Sequence, residues 1–312
     1  MATLAHIHSF TDLLTVDALS VEEFDTLLEL SGEAKRTPLA WREQHTGQVV
    51  ACYFAKPSTR TRVSLEAAAH RLGALPVMLR PDELQLGRGE TIGDTARVLS
   101  SFVSAITIRT FDQRDVEELA AHSDVPVVNA LTDLHHPCQA LADLFTLKEH
   151  FGELTGLKVT YVGDGTNVAH SLMEAGAIAG MHVCLATPHG HEPDIGITVR
   201  AHDRARLRGG SVTVVRDPTS AVHDAHAVYT DAWVSRGEDA ERAERLERLA
   251  PYRVTAQLMS HARPEAVFMH CLPAHRGEEV TAEVIDGPQS IVFEQAANRL
   301  PTEQAVLHAL LR

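Results

Sequence analysis

Nine short apolar runs of the kind that form β-strands alternate with helical patterns along most of the chain, and this alternation restricts the fold more than any other feature. The strand-like runs lie at residues 48–54, 76–79, 105–109, 127–129, 158–162, 182–186, 212–215, 227–230 and 267–269. Parallel strands need a crossover connection, which is usually a helix. The sequence therefore predicts an α/β protein with parallel sheets.

Two stretches predict how the chain divides into domains. Residues 137–151 have apolar side chains at the spacing of a long helix and are followed by Gly152, which marks a boundary. Leu, Ala and Glu are frequent in residues 294–312, which predicts a last helix that folds back onto the first domain. We expect two domains, each with a central parallel sheet flanked by helices, linked by these two helices. The first comprises residues 1–151, completed by helix 294–312, and the second comprises residues 152–293.

A second constraint is chemical. Residues 56–62 read Lys-Pro-Ser-Thr-Arg-Thr-Arg, directly after the run that ends at Phe54 and directly before a helical pattern that begins at Val63. The free N–H groups of a helix start, its positive dipole end, three hydroxyls and two guanidinium groups would therefore converge. A capped helix with two surface arginines is the simpler interpretation. Two arginines that bracket a Thr inside the cap favour a phosphate site instead.

The overall charge limits the class of ligand. The chain has 28 Lys and Arg against 42 Asp and Glu, a formal net charge of −14, whereas proteins that bind nucleic acid usually present a basic face. Arg60, Arg62, Arg88 and Arg109 are concentrated in the first half. The sequence thus predicts a site for a small anion and no nucleic-acid partner.

Cysteines and histidines give no sign of a metal or a disulfide framework. The four cysteines have no C-x-x-C spacing, which is typical of reduced thiols, and the 19 histidines lack the i, i+4 pairing of a helical metal site. No basic-then-apolar leader opens the chain, and no apolar run approaches the roughly 20 residues that span a bilayer. We expect a cytoplasmic protein without metal, cofactor or membrane contact.

Residues 157–165 end a strand in two glycines before a helix, which is reminiscent of a dinucleotide-binding turn. The G-x-G-x-x-G pattern requires a third glycine, and position 168 is Val. The fingerprint therefore fails.

Four motifs in one order carry a family resemblance. Residues 56–62 are followed by His-Pro-Cys-Gln at 136–139, His-Cys-Leu-Pro at 270–273 and Asn-Arg at 298–299. From about Leu13 to the C-terminus the chain resembles the carbamoyltransferases. The cysteine at 271 and the loop at 231–237, which is similar to an Asp-x-x-x-Ser-Met-Gly pattern, resemble the ornithine branch rather than the aspartate branch.

The resemblance implies a carbamoyl phosphate site in the first domain. Ser58, Thr59, Arg60 and Thr61 would hold the phosphate, Arg109 would bridge phosphate and carbonyl oxygen, and His136 would donate to that oxygen. Gln139 would accept a hydrogen bond from the carbamoyl NH2, and the backbone carbonyl of Leu272 would accept another. Arg299 would contact the carbamoyl group as well. The implied carbamoyl phosphate-binding set is Ser58, Thr59, Arg60, Thr61, Gln85, Arg109, His136, Pro137, Cys138, Gln139, Cys271, Leu272 and Arg299, in which Arg109, His136, Cys271 and Arg299 are the catalytic residues.

The second domain would bind the acceptor amino acid. The resemblance implies ornithine contacts at Leu131, Asn167, Asp231, Ser235 and Arg236. A free alkyl ammonium has a pKa of about 10.4, so the site must favour the neutral amine, and Cys271 is placed to do this. Cys271 as a covalent nucleophile is an alternative, but it has no assigned base.

The resemblance also implies a homotrimer or a multiple of trimers. In the family the loop that corresponds to residues 85–91 reaches the neighbouring subunit's site, with Gln85 as the contact supplied in trans. A simple surface turn is the alternative, because the loop contains two glycines.

Two positions depart from the family pattern. Arg236 replaces a Met, and Ala297 replaces a Glu just before Asn298 and Arg299. Three functions therefore stay open: ornithine carbamoyltransferase, which makes citrulline and phosphate in arginine metabolism; a carbamoyltransferase for another amine such as N-acylornithine, lysine or putrescine; and a silent relative that acts as a binding subunit. Retention of the motif residues argues against the last.

Overall fold

The computed structural model describes residues 10–82, 84, 89–234 and 242–311. It divides into two compact units: unit 1 is formed by residues 1–145 and 297–312, and unit 2 by residues 146–296. Both divisions fall inside helices, which cover residues 137–151 and 292–310.

Unit 1 contains a four-stranded parallel sheet in the order β2-β1-β3-β4. Its strands are β1 (Val49–Phe54), β2 (Leu75–Leu79), β3 (Ala105–Arg109) and β4 (Val127–Leu131). The helices in this part of the chain are α1 (Val21–Arg36), α2 (Thr59–Arg71), α3 (Ile92–Ser100), α4 (Gln113–His122) and α5 (Pro137–Phe151).

Unit 2 contains a five-stranded parallel sheet in the order β7-β6-β5-β8-β9. Its strands are β5 (Lys158–Val162), β6 (His182–Ala186), β7 (Ser211–Val215), β8 (Ala227–Thr230) and β9 (Val267–His270). The remaining helices are α6 (Asn167–Ile178), α7 (Ile195–Leu207), α8 (Pro218–Val222), α9 (Arg242–Leu249), a 3₁₀ turn (Ala250–Tyr252), α10 (Ala256–Met259), α11 (Ala282–Ile285) and α12 (Val292–Leu310).

Each sheet starts in its interior and is then extended on both sides. The chain adds β2 on one side of β1 and β3 on the other, and it adds β6 and β7 on one side of β5 before β8 and β9 on the other. Open parallel sheets bind ligands beyond the carboxyl ends of the strands where the order reverses. The loops after β1 and β3 in unit 1, and after β5 and β8 in unit 2, are therefore the places to look for a site.

The predicted α/β class with parallel sheets is confirmed. Each of the nine predicted runs overlaps an observed strand, and the largest difference is at β4, which continues to Leu131. The helix predicted over 137–151 is α5. Parallel strands are covered on both faces, which is why Val159, Tyr161 and Val162 of β5 are all within 1% of complete burial. Among the described residues, no helix is both long and apolar enough to cross a membrane.

Candidate active site

The segment after β1 builds the start of α2. Ser58 has an extended backbone (φ −153°, ψ 122°), and its Oγ accepts a hydrogen bond from the Thr61 N–H at 3.3 Å, so it is the N-cap. The Ala55 N–H donates to the carbonyl of Arg109 at 2.8 Å, which ties this segment to the end of β3. The free N–H groups and positive dipole end of a 13-residue helix thus lie at the same sheet edge as the Arg109 backbone.

His136, which precedes α5, is buried among cations. It is 5% exposed, and burial lowers the pKa of His136 well below its usual value. Three guanidinium groups lower this pKa further, in the order Arg299, Arg109 and Arg60. His136 is therefore neutral at physiological pH, and a neutral imidazole can donate one hydrogen bond without adding a fourth positive charge.

The start of α5 explains the other two residues of the His-Pro-Cys-Gln motif. The His136 carbonyl accepts from the Gln139 N–H at 3.1 Å, and Pro137 occupies the first helical position, where a missing N–H costs no helical hydrogen bond. The Cys138 thiol donates to a carbonyl of β4 at 3.5 Å, and burial raises the pKa of Cys138 to about 12. The Cys138 thiol therefore packs inside unit 1 and is not a nucleophile.

Arg299 of α12 joins the two helix starts of unit 1. It is 2% exposed, and its NH1 donates to Oε1 of Gln139 at 2.7 Å while its NH2 donates to Oγ1 of Thr61 at 3.2 Å. The structure thus brings together three predicted residues that are separated by up to 238 positions. It also adds a contact that the resemblance did not imply, because the Gln139 oxygen already accepts from Arg299.

Sequence reasoning missed two carboxylates that hold these groups. Glu303 accepts from NH2 of Arg299 at 2.5 Å and is fully buried, and Asp143 accepts from Nε2 of Gln139 at 2.8 Å and is fully buried as well. Each carboxylate lies four residues after its partner on the same helix. The i, i+4 spacing of opposite or complementary side chains on a helix is a signal that could have found both.

A cavity of about 510 Å³ lies beside the start of α2. Its lining includes Ser58 and Arg62 together with the segment that follows β2, but neither Arg109 nor His136. The cavity therefore lies on one flank of the α2 start and does not coincide with the cluster of charged groups.

In unit 2 the ends of β8 and β9 bring Asp231 and Cys271 into contact. The Cys271 Sγ lies 2.8 Å from Oδ1 of Asp231 and donates to it, and the same oxygen accepts from the Ala232 N–H at 2.7 Å. Both side chains are only partly buried. The pair presents a thiol and a carboxylate beside each other, which suits the binding of an amine or ammonium group.

The turn after Cys271 is held by a buried histidine. The Leu272 N–H donates to Nδ1 of His270 at 2.8 Å, so Nε2 carries the proton and faces Oε1 of Glu279 at 3.2 Å. Leu272 has a positive φ of 58°, which is uncommon for a non-glycine residue and often marks a functional turn. Candidate metal-ligand atoms of Asp231, His270 and Cys271 lie within 4.8 Å of one another, but both ring nitrogens of His270 are already engaged.

The loop after β5 carries a second network that the sequence did not reveal. Asp164 accepts from Arg245 and faces Nδ1 of His191 at 3.1 Å. Arg245 also donates through Nε to the Trp233 carbonyl at 3.0 Å. The network fixes the segment after β8, which begins with Asp231, against the loop that leads to Asn167 at the start of α6.

The two glycines of this loop serve packing. A Cβ at Gly165 would lie 2.4 Å from the backbone nitrogen of Pro193, and Gly163 has a φ of 135°. Their conformation and close approach account for both glycines without a dinucleotide, in agreement with the failed fingerprint.

Two family models match adjoining parts of the chain. Residues 11–149 match the carbamoyl-P binding domain of aspartate/ornithine carbamoyltransferase, and residues 155–310 match the Asp/Orn binding domain of the same enzymes. The chain belongs to the aspartate/ornithine carbamoyltransferase family. Its unit 1 therefore carries the carbamoyl phosphate-binding domain of the family, and its unit 2 carries the amino-acid-binding domain.

Relatives in this carbamoyltransferase family are similar over almost their full length. The ornithine carbamoyltransferase of Symbiobacterium thermophilum is 52% identical over 302 residues, which is 96% of this chain and 97% of the relative. The ornithine carbamoyltransferase of Bacillus subtilis is 52% identical over 300 residues, which is 96% of this chain and 93% of the relative. The solved ornithine carbamoyltransferase of Pyrococcus furiosus superposes with a TM-score of 0.92 at 49% identity, covering 96% of this chain and 97% of that one.

The structure places the predicted residues of this carbamoyltransferase-family chain in two groups. Apart from Gln85, unit 1 contains the predicted phosphate-site residues up to Gln139, together with Arg299 and Leu131. The Leu131 carbonyl accepts from the Thr110 N–H at 3.0 Å. Unit 2 contains Asn167, Asp231, Cys271 and Leu272. Gln85, Ser235 and Arg236 lie outside the described residues.

Proposed function

We propose that the chain is an ornithine carbamoyltransferase, which converts carbamoyl phosphate and L-ornithine into L-citrulline and phosphate. The observation that carries this proposal is the buried Arg299, which donates to Thr61 at the start of α2 and to Gln139 at the start of α5. Burial first, and the charges of Arg299, Arg109 and Arg60 second, lower the pKa of the buried His136, so its imidazole is neutral. Carbamoyl phosphate is a dianionic acyl phosphate, so it needs cations for its phosphate and hydrogen-bond donors at its carbonyl oxygen, of which the neutral His136 is one. The ornithine carbamoyltransferases that are half identical over 96% of the chain support ornithine as the acceptor.

Unit 1 would bind the donor substrate. The first-turn N–H groups of α2, the hydroxyls of Ser58, Thr59 and Thr61 and the guanidinium of Arg60 would hold the phosphate. Arg109 at the end of the neighbouring strand would contact both phosphate and carbonyl oxygen. Cys138 and Pro137 would contribute only through the backbone geometry of the α5 start.

His136 and Arg299 would stabilise the charge that develops on the carbonyl oxygen. The neutral amine attacks the carbonyl carbon, a C–N bond forms, and the C–O bond to phosphate breaks. One proton leaves the amine, and phosphate departs with the electron pair of the broken bond. Preorganised donors at the oxygen lower the barrier because they are in place before the charge forms.

Unit 2 would bind ornithine. Asp231 and Asn167 would contact the charged α-amino and carboxylate groups, together with Ser235 and the Leu131 backbone, and Cys271 would orient the δ-amine. The 2.8 Å contact between Cys271 and Asp231 supports this assignment, because it joins the proposed amine-orienting thiol to a carboxylate.

The proposal includes a homotrimer in which Gln85 of one subunit completes the site of the next, and a cytoplasmic location. All four cysteines are free, which fits a reducing compartment. Mixing Gln85→Ala subunits with Arg60→Ala subunits should restore activity in mixed assemblies. A monomer by light scattering, or no restoration on mixing, would contradict the shared site.

The acceptor is tested with a panel of amines. Citrulline-type products are measured with carbamoyl phosphate and ornithine, aspartate, lysine, putrescine or N-acetylornithine, and kcat/KM for ornithine should exceed the others at least about tenfold, a difference of about 1.4 kcal/mol. The comparison is repeated in Arg236→Met. A tenfold preference for an acylated amine in the wild type, reversed in the variant, would refute ornithine as the acceptor.

A further inference from the structure

Arg299 and Glu303 form a buried ion pair one helical turn apart on α12. Arg299 is 2% exposed and Glu303 is 0% exposed at the side chain, and the NH2 to Oε1 distance is 2.5 Å. The same guanidinium donates to Gln139 at 2.7 Å and to Thr61 at 3.2 Å. Glu303 is therefore the carboxylate that directly contacts an arginine assigned above to the carbamoyl group.

We propose that Glu303 is a positioning residue, which holds the Arg299 guanidinium against Gln139 and Thr61 so that its remaining donors face the carbamoyl group. The inference rests on the proposed function. It assigns to Glu303 a role that acts through Arg299 and not by contact with substrate.

The charge environment makes such a group necessary. Arg60, Arg109 and Arg299 all act on His136, so three guanidinium groups share one electrostatic neighbourhood. Like charges in a buried region repel, and an arginine side chain has several rotamers by which it could move away. Glu303 accepts a hydrogen bond from the Arg299 guanidinium, and its negative charge counters that repulsion.

The geometry of the pair is not the one that would stabilise the fold most. A bidentate arginine–carboxylate pair is the stronger arrangement. Here one NH2 to Oε1 contact is made, while Nε of Arg299 and Oε2 of Glu303 are buried without hydrogen-bond partners in the described part of the chain. Burial also raises the pKa of Glu303, although the Arg299 charge opposes the rise. Folding thus disfavours the charge that the pair needs.

The experiment is a double-mutant cycle on citrulline synthesis. Glu303→Gln should lower kcat about 10- to 100-fold, below the 10²- to 10³-fold typical for complete loss of a donor to a developing oxyanion, because the guanidinium is displaced rather than removed. KM for ornithine should stay within about threefold of the wild type, because the side chains assigned to the acceptor belong to unit 2. Glu303→Asp, which keeps the charge, should recover part of the loss. Glu294→Gln is the control, because Glu294 is exposed on the same helix.

The cycle separates positioning from a structural role. In an Arg299→Ala background, Glu303→Gln should change kcat less than about threefold, since the group through which Glu303 acts is gone. This comparison also holds if Glu303→Gln alone folds poorly, because the double variant removes both buried charges. Unchanged kcat in Glu303→Gln, or equal losses in the two backgrounds, would overturn the inference. Absence of citrulline synthesis in the wild type would instead refute the proposed function.

Discussion

The buried His136 should make the free energy of unfolding of unit 1 fall as the pH is lowered. Replacing His136 should remove part of this pH dependence and should also lower the activity. Burial and three cations keep His136 neutral in the folded state. In the unfolded chain its pKa is about 6.5, so below that pH the unfolded state binds a proton that the folded state does not. A lowered histidine pKa therefore makes stability fall as the pH decreases from neutrality.

The size of the effect follows from this linkage. A histidine with an unfolded pKa of about 6.5 that is still neutral in the folded state destabilises the fold by about 2 kcal/mol at pH 5 and hardly at all at pH 7. His136→Leu should therefore reduce the loss of unfolding free energy between pH 7 and pH 5 by close to 2 kcal/mol. The variant should also lose about 10²- to 10³-fold in kcat, because a donor to the carbonyl oxygen is removed.

The two tryptophans allow unit 1 to be followed separately. Trp41 lies in unit 1 and Trp233 in unit 2, and the Trp233 ring nitrogen has no hydrogen-bond partner in the described part of the chain, so Trp233→Phe sacrifices no bond. Urea unfolding of Trp233→Phe, with and without His136→Leu, is measured by fluorescence at both pH values. His70→Leu, at an exposed position of α2, is the control. If the unfolding free energy depends on pH equally with and without His136, the conclusion that burial and the three arginines keep His136 neutral is wrong.

Three further outcomes test other groups. Arg60→Ala should lose about 3–5 kcal/mol in kcat/KM while its circular dichroism spectrum stays native, because it removes phosphate anchoring and charge stabilisation together. Near-normal turnover would contradict the assignment of Arg60 to the phosphate site. Cys271→Ala should lower kcat about 10- to 100-fold and still turn over without a covalent carbamoyl adduct by mass spectrometry, since the thiol orients the amine. His308→Phe should reduce the loss of unfolding free energy between pH 7 and pH 5 by about 2 kcal/mol, because burial first, and His45 second, lower the pKa of His308 to about 4. An unfolding free energy that depends on pH as in the wild type would contradict this expectation.

The periodic features of the sequence predicted most of the fold. Alternating apolar runs are local signals, so the sequence alone predicts the helix at 137–151 and the nine strands found among the described residues. Arg109 and Asp231, which the family resemblance implied, lie at or directly after the ends of β3 and β8, where parallel sheets place ligand-binding residues.

Side-chain pairing could be predicted only where it is local. The i+4 carboxylates Glu303 and Asp143 follow from helix spacing alone. The contacts of Arg299 with Gln139 and Thr61, by contrast, join positions 160 and 238 residues apart, and no pattern in one sequence encodes which distant polar groups meet. The neutral state of His136 depends on the same long-range packing, so its charge could not be read from the His-Pro motif.

The fate of a labelled carbamoyl group tests most directly whether unit 1 binds carbamoyl phosphate for transfer to ornithine. Purified wild-type protein is given ¹³C-carbamoyl phosphate and ornithine, and both products are quantified by NMR. We expect ¹³C-citrulline and phosphate in equal amounts from the wild type, and almost complete loss of both products in Arg60→Ala. Phosphate release without citrulline, or citrulline formation that survives in Arg60→Ala, would contradict the assignment of unit 1 as the carbamoyl phosphate site of an ornithine carbamoyltransferase.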